Sequence, residues 1–165
     1  MNITAKTNNF YKYYDINNNN KGVQMYRKIL LPTDGSTYAD EEVDRATKLL
    51  VDGGEVIVLS VAGKIKNSAF QRRRDVALVN KGLREEAEEA VHAMASKFDD
   101  SINVRPMVLS GFPAETINQV VEEEGVDLII ISASGKSGLH KFIIGSVAEK
   151  VLKTSDIDVL LIHNK

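Results

Sequence analysis

Leu128-Ile129-Ile130-Ile131-Ser132-Ala133-Ser134-Gly135-Lys136-Ser137-Gly138-Leu139-His140-Lys141-Phe142-Ile143-Ile144-Gly145-Ser146-Val147-Ala148-Glu149-Lys150-Val151-Leu152 joins three segments of different character. The apolar run Leu128 to Ile131 is too short for a helix and rich in β-branched residues, so it reads as a buried strand. Ser146 to Leu152 reads as a helix, and the loop between is rich in Gly and Ser. A strand, such a loop and a helix N-terminus bring backbone N–H groups together on an anion. The stretch from Ser132 to Ser146 therefore reads as a nucleotide phosphate site.

The flanking sequence repeats the alternation. Lys28 to Leu31 is a short strand closed by Pro32-Thr33-Asp34-Gly35-Ser36, where proline and Asp-Gly signal a turn. Thr37 stands at capping-box spacing before Asp40, with Glu41 and Glu42 in the first turn to suit the helix dipole. Val43, Ala46, Leu49 and Leu50 predict a helix to Val51, ended by Gly53-Gly54. A second strand spans Glu55 to Val61. Ala62 to Lys81 is polar and reads as irregular, and a helix runs from about Gly82 to Phe98 with Leu83, Ala87, Ala90, Val91, Met94 and Phe98 on one stripe. A third strand lies near Asn103 to Leu109, then a helix starting at Pro113 and stopped by Gly125. The fourth strand starts at Val126, and Ile157 to Ile162 is the fifth. Five strands alternating with four helices predict an α/β fold: a parallel sheet with helices on both faces and right-handed crossovers. Ligands of such sheets bind at the C-terminal strand ends, where the winding reverses. Two strand-end loops carry chemistry there, Pro32 to Ser36 and Ser132 to Ser146.

Residues 1–24 differ. Asn2, Asn8, Asn9 and Asn17 to Asn20 stand among Tyr11, Tyr13 and Tyr14 without a period of 2 or 3.6. This reads as a poorly ordered Asn-rich tail, its aromatics either idle or docked on the body or a partner. The domain is then 25–165, with Met25 opening the regular pattern.

The 165 residues suit one domain, and 43% hydrophobic with 27% charged residues is ordinary for a globular protein. A formal net charge of −2 gives no footprint for nucleic acid. The absence of cysteine excludes disulfides, thiolate metal sites and a cysteine nucleophile. No apolar run is long enough for a membrane span and the N-terminus has no signal-peptide core, so the expectation is a cytoplasmic protein.

Gly135-Lys136-Ser137 is not a P-loop, because Ile130 stands where that motif needs its first glycine. A GxGxxG fingerprint is absent after the first strand. What remains is Gly135, a nine-residue spacer, and Gly145-Ser146 opening a helix. Gly145 allows backbone to approach an oxyanion closely. Alternatively Ser146 is only an N-cap, since Ser146-x-x-Glu149 is a capping box. His140 is either solvated or within reach of a phosphate, and Arg72-Arg73-Arg74 is a solvated run, a phosphate lid or an RNA contact. His92 and His163 stand apart, and neither a Ser-His-Asp arrangement nor a metal cluster is evident.

Taken in order, Pro32-Thr33-Asp34-Gly35-Ser36, Gly111-x-Pro113 and Gly-x9-Gly-Ser followed by Val-Ala-Glu-Lys-Val resemble the universal stress protein family from Met25 to the C-terminus. The resemblance implies a Rossmann-like sheet of order 3-2-1-4-5 and a homodimer paired through the last strand, here Val159, Leu160, Leu161 and Ile162. For one subgroup it implies ATP at Gly-x2-Gly-x9-Gly-Ser/Thr. On this chain Gly135, Gly145 and Ser146 would hold phosphates, Asp34 would meet the ribose or adenosine and help place Mg, and Val61 would offer backbone to adenine. Pro32, Thr33, Ser132, Ser134, Gly138 and Val147 complete the expected contact set. Serine replaces the first motif glycine at Ser132, which would cost about 1–2 kcal/mol if that position needs a positive φ. Asp158 stands where the family often has proline. The function so implied is a nucleotide-binding stress-response regulator without a positioned general base, hence at most slow ATP hydrolysis. The alternative is an interaction module of the same family that binds no nucleotide. An ATP-dependent transferase would need a His or Lys that Thr33-Asp34-Gly35 does not supply.

Overall fold

The computed structural model describes residues 3–7, 10–14, 25–36, 39–63, 73–133 and 144–162. In chain order the elements are β1 (Ile3–Thr7), β2 (Phe10–Tyr14), β3 (Tyr26–Pro32), α1 (Ala39–Leu49), β4 (Leu50–Ala62), α2 (Arg73–Ala95), β5 (Asn103–Ser110), α3 (Pro113–Glu124), β6 (Leu128–Ser132), α4 (Ser146–Thr154) and β7 (Asp158–Ile162). They form one sheet of order β2-β1-β7-β6-β3-β4-β5. Its five parallel strands, counted from β3, follow the expected order 3-2-1-4-5.

Alternation along each strand sends one set of side chains to each face. Ile29, Leu31, Val56, Val58, Leu128, Ile130, Leu160 and Ile162 pack with Val43 and Ala46 of α1 and with Val91 and Met94 of α2. Leu30, Ile57, Leu59, Ile129, Ile131, Val159 and Leu161 pack with α3 and α4 through Ile117, Val120, Val151 and Leu152. Both faces are therefore dry, as a parallel sheet requires. Among the described residues no helix is long and apolar enough to cross a membrane.

The N-terminal ends of the strands are tied by charge. Asp127 Oδ2 accepts the N–H groups of Arg27 and Lys28, each at 3.0 Å. Glu55 bridges Lys28 at 3.1 Å and Arg105 at 2.8 Å, and Arg105 also pairs with Glu124. These contacts lie at the end of the sheet opposite the strand-end loops, so they fix register without entering the site.

Three boundaries differ from the sequence reading. Gly53-Gly54 does not end α1. The helix stops at Leu49 and β4 has already begun, with its register shifting between the Tyr26–Leu50 and Lys28–Glu55 pairs. Gly53 has φ 74° and a Cβ on Gly54 would lie 2.8 Å from the Arg27 carbonyl oxygen, so the pair serves an irregular turn of strand rather than a helix cap. Next, α2 starts at Arg73 rather than Gly82, taking in residues read as irregular. The fourth strand starts at Leu128 rather than Val126, after Gly125 closes α3 in the left-handed conformation as expected.

The larger difference is at the N-terminus. The segment read as an unstructured tail contains β1 and β2, which pair with each other antiparallel. β1 also lies antiparallel on β7, matching Thr4, Ala5 and Lys6 to Leu161, Leu160 and Val159. The edge Val159–Ile162, expected to be open for a second copy, is covered by the chain's own strand. Asp158 opens β7 with its carboxylate accepting the Tyr26 hydroxyl at 2.9 Å. Deleting residues 1–24 bares that edge, and unpaired edges recruit strands. Residues 25–165 are expected to show a higher light-scattering mass than the full chain at equal concentration; equal masses would show that β1 does not guard the edge.

Candidate functional site

A cavity of about 270 Å³ opens at the C-terminal ends of β3, β4 and β6, against the N-terminal ends of α3 and α4. Each wall follows from local chemistry. Proline closes β3, and the Thr33 N–H donates to the Leu59 carbonyl at 2.8 Å, holding the loop to β4. Asp34 then accepts the Ser36 N–H at 3.0 Å, and Gly35 turns with φ 77°, a conformation that favours glycine. Leu59, Val61, Ile117 and Ile131 make the apolar side.

The polar side is the start of α4. Gly145 is its N-cap, extended at φ −63° and ψ 150°, with no side-chain capping bond. Ser146 is thus the first helical residue, and the capping-box reading of Ser146 and Glu149 does not hold; Glu149 pairs with Lys153 instead. The Gly145 N–H donates to the Ala133 carbonyl at 2.6 Å, so this glycine serves the site as a close contact and not as an anion donor. A Cβ there would stand 3.3 Å from the same oxygen. The first helical bond runs from the Glu149 N–H to the Gly145 carbonyl at 2.9 Å, which leaves the N–H groups of Ser146, Val147 and Ala148 without a helical acceptor. All three residues line the cavity.

Of the residues expected from the sequence, Pro32, Thr33, Asp34, Val61, Ser132, Gly145, Ser146 and Val147 line this one cavity. Ser134, Gly135, Gly138 and His140 lie outside the described residues, as do Arg72 and His163. His92 is exposed on α2. Ser132 ends β6 paired with Ile162, in extended backbone, so the position needs no left-handed glycine and the strain expected of serine there does not arise.

By sequence Glu42 is a first-turn acid suited to the helix dipole. It is 3% exposed and lines the cavity. Burial pushes its carboxyl up to about 8; Ser132 pulls the other way by donating its N–H and hydroxyl, and the Asp34 charge adds to the upward push. Among the described residues, Glu42 Oε1 has no hydrogen-bond partner. A signal did exist, because Ala39, Glu42, Val43 and Ala46 share a helical phase and place Glu42 on the buried stripe. Asp34 and Glu42 are the charged groups among the described lining residues, and both are acidic.

A proton on Glu42 in the folded state has a defined consequence for stability. Below pH 4.5 folded and unfolded chains both hold that proton; from there to about pH 8 the unfolded chain releases it first and gains, and above pH 8 the difference is constant. Glu42→Gln should therefore become more stable relative to wild type as pH rises through that window, by on the order of 5 kcal/mol. Denaturant melts across pH test this, and a difference independent of pH would refute it.

Comparison with known proteins agrees with the geometry. The model of the universal stress protein family matches residues 25–163. Universal stress protein MJ0577 of Methanocaldococcus jannaschii is 34% identical over 158 residues, spanning 86% of this chain and 97% of that protein. Its solved structure superposes with a TM-score of 0.71, at 31% identity over 86% of this chain and 98% of that one. Universal stress protein MJ0531 of the same organism is 30% identical over 154 residues, 92% of this chain and 91% of that protein. The fold is also shared with a universal stress protein solved in complex with cAMP, at 22% identity and TM-score 0.59 over 86% of this chain and 100% of that one. With its strand order, its strand-end cavity and a family match over nearly the whole length after residue 24, this chain belongs to the universal stress protein family.

Proposed function

We propose that the chain is a nucleotide-binding regulator of the stress response, with ATP as ligand and occupancy rather than turnover as its output. The observation that carries this reading is the start of α4, where three residues whose N–H groups have no helical acceptor line a cavity that also has an apolar lining. An apolar side of Leu59, Val61 and Ile117 suits a base, and a helix N-terminus suits phosphate. A protein of the same fold holds cAMP, so the fold accommodates an adenine nucleotide.

The residues present fit a nucleotide at both ends. Gly145 brings the start of α4 against Ala133, closer than a side chain would comfortably permit, so the residues whose N–H groups lack helical acceptors line the cavity. Each such interaction with an anion contributes about 0.3–1 kcal/mol when exposed and up to ~2 when partly buried. Asp34, on the cavity wall, would take the ribose or a Mg ion carried in by the phosphates. The homodimer through Val159, Leu160, Leu161 and Ile162 belongs to the same proposal, and forming it would require β1 to leave that edge.

Gly145→Val tests the reading. The branched side chain crowds the Ala133 carbonyl and displaces the start of α4, so Mg-ATP affinity is expected to fall at least about tenfold, ~1.4 kcal/mol, with the fold retained by circular dichroism. Calorimetry of both proteins decides it. Equal affinities, or no saturable binding by wild type up to millimolar ATP, would favour the interaction module that binds no nucleotide.

A further inference from the structure

Glu42 is an unusual group to find in a phosphate site. Its side chain is buried and lines the cavity, where α1 meets β6. Ser132 holds it from β6 through both backbone N–H and hydroxyl. The second carboxyl oxygen, Oε1, faces no hydrogen-bonding group among the described residues. From the loop after β3, Asp34 is the charged group that acts on it, and it has the same sign. No described lining residue carries a positive charge that would compensate a second carboxylate.

A buried carboxyl has two chemically distinct forms. Protonated, it is neutral and offers one O–H donor beside its acceptor oxygens. Ionised, it accepts only, and it repels any anion close by in a medium that screens poorly. The N–H groups of Ser146, Val147 and Ala148 favour an anion in the cavity that Glu42 also lines, so the two tendencies oppose each other within one cavity.

We propose that Glu42, held by Ser132, is a proton-operated gate on this cavity: with its carboxyl protonated the lining it contributes is neutral and admits the phosphate of a nucleotide, and with it ionised the anion is excluded. The proposal rests on the nucleotide reading above and gives that site its regulation. Burial favours the protonated form up to about pH 8, so the gate stands open at neutral pH and closes on alkalinisation. By linkage, a bound phosphate raises the carboxyl further and the complex takes up a proton as it forms. Ser132 then acts as a positioning residue for the gate, which gives a physical reason for serine where the motif has glycine.

The test is Mg-ATP binding by calorimetry to wild type and to Glu42→Gln, at about pH 7.5 and about pH 9.5, a range in which the nucleotide's phosphates change charge little. Wild type is expected to bind about tenfold more weakly at the higher pH, as a like-charge shift of about one unit or more requires. Glu42→Gln keeps the shape and loses the charge, so its affinity should change less than about threefold. Lysines and tyrosines elsewhere titrate equally in both proteins and cancel in the comparison. Repeating the titrations near pH 8.5 in buffers of different ionisation heat should show proton uptake by wild type and less by the variant, which a merely structural role would not produce. Glu42→Ala should give the same flat profile and serves if the amide is poorly accommodated. Binding by both proteins with equal pH dependence and equal proton uptake would overturn the gate alone. Absence of binding by both at either pH would overturn the nucleotide reading, and the gate with it.

Discussion

Burial of both faces of β3 and β6 is the constraint on which the remaining structure depends. Ile29, Leu30 and Leu31, and beside them Leu128 to Ile130, are at most 2% exposed, so neither face of these strands can meet water. Helices must then cover both sides, and parallel strands return only through crossovers. All strand-to-helix loops consequently emerge at one end of the sheet. The cavity forms where β3 and β6 lie side by side and their loops part toward opposite faces.

That geometry gives Glu42 its character. α1 must present its apolar stripe to the sheet, and Glu42 lies on that stripe beside Val43. A carboxyl carried into such a place either finds donors or keeps its proton, and here it does both, since Ser132 donates to it while burial still dominates. Glu42 on α1 and Ser132 at the end of β6 are joined by these hydrogen bonds, so each accounts for the other. Their cost in stability falls in the cavity that the apolar core exists to shape.

The two ends of the parallel sheet are protected by different means. At β5 Pro106 removes a donor from the outermost ladder, a device confined to edges. At the other side β7 would be an edge were it not for β1, which converts it into an interior strand. The covering strand comes from outside the family domain, which begins at residue 25.

Local chemistry in the sequence determined most of this protein. Apolar runs of strand length, Pro113 and Gly125 bounding α3, and Pro32 to Ser36 closing β3 specify the parallel fold, and Gly145-Ser146 specifies a helix start at its ligand end. These are signals between residues close along the chain, so periodicity and turn chemistry reveal them. The roles that needed tertiary structure all involve residues far apart. Gly53-Gly54 has the same composition in a helix cap as in an irregular strand, and only the approach of Arg27 distinguishes them. The N-terminal segment has no period of its own to read, and its place in the sheet is set by β7, at the other end of the chain. In the described part of the loop Gly145 is a close contact, the N–H groups after it lack helical acceptors, and Ser132 holds Glu42 rather than straining the backbone. A carboxyl's protonation depends on what surrounds it in space, and no spacing rule along the chain encodes that.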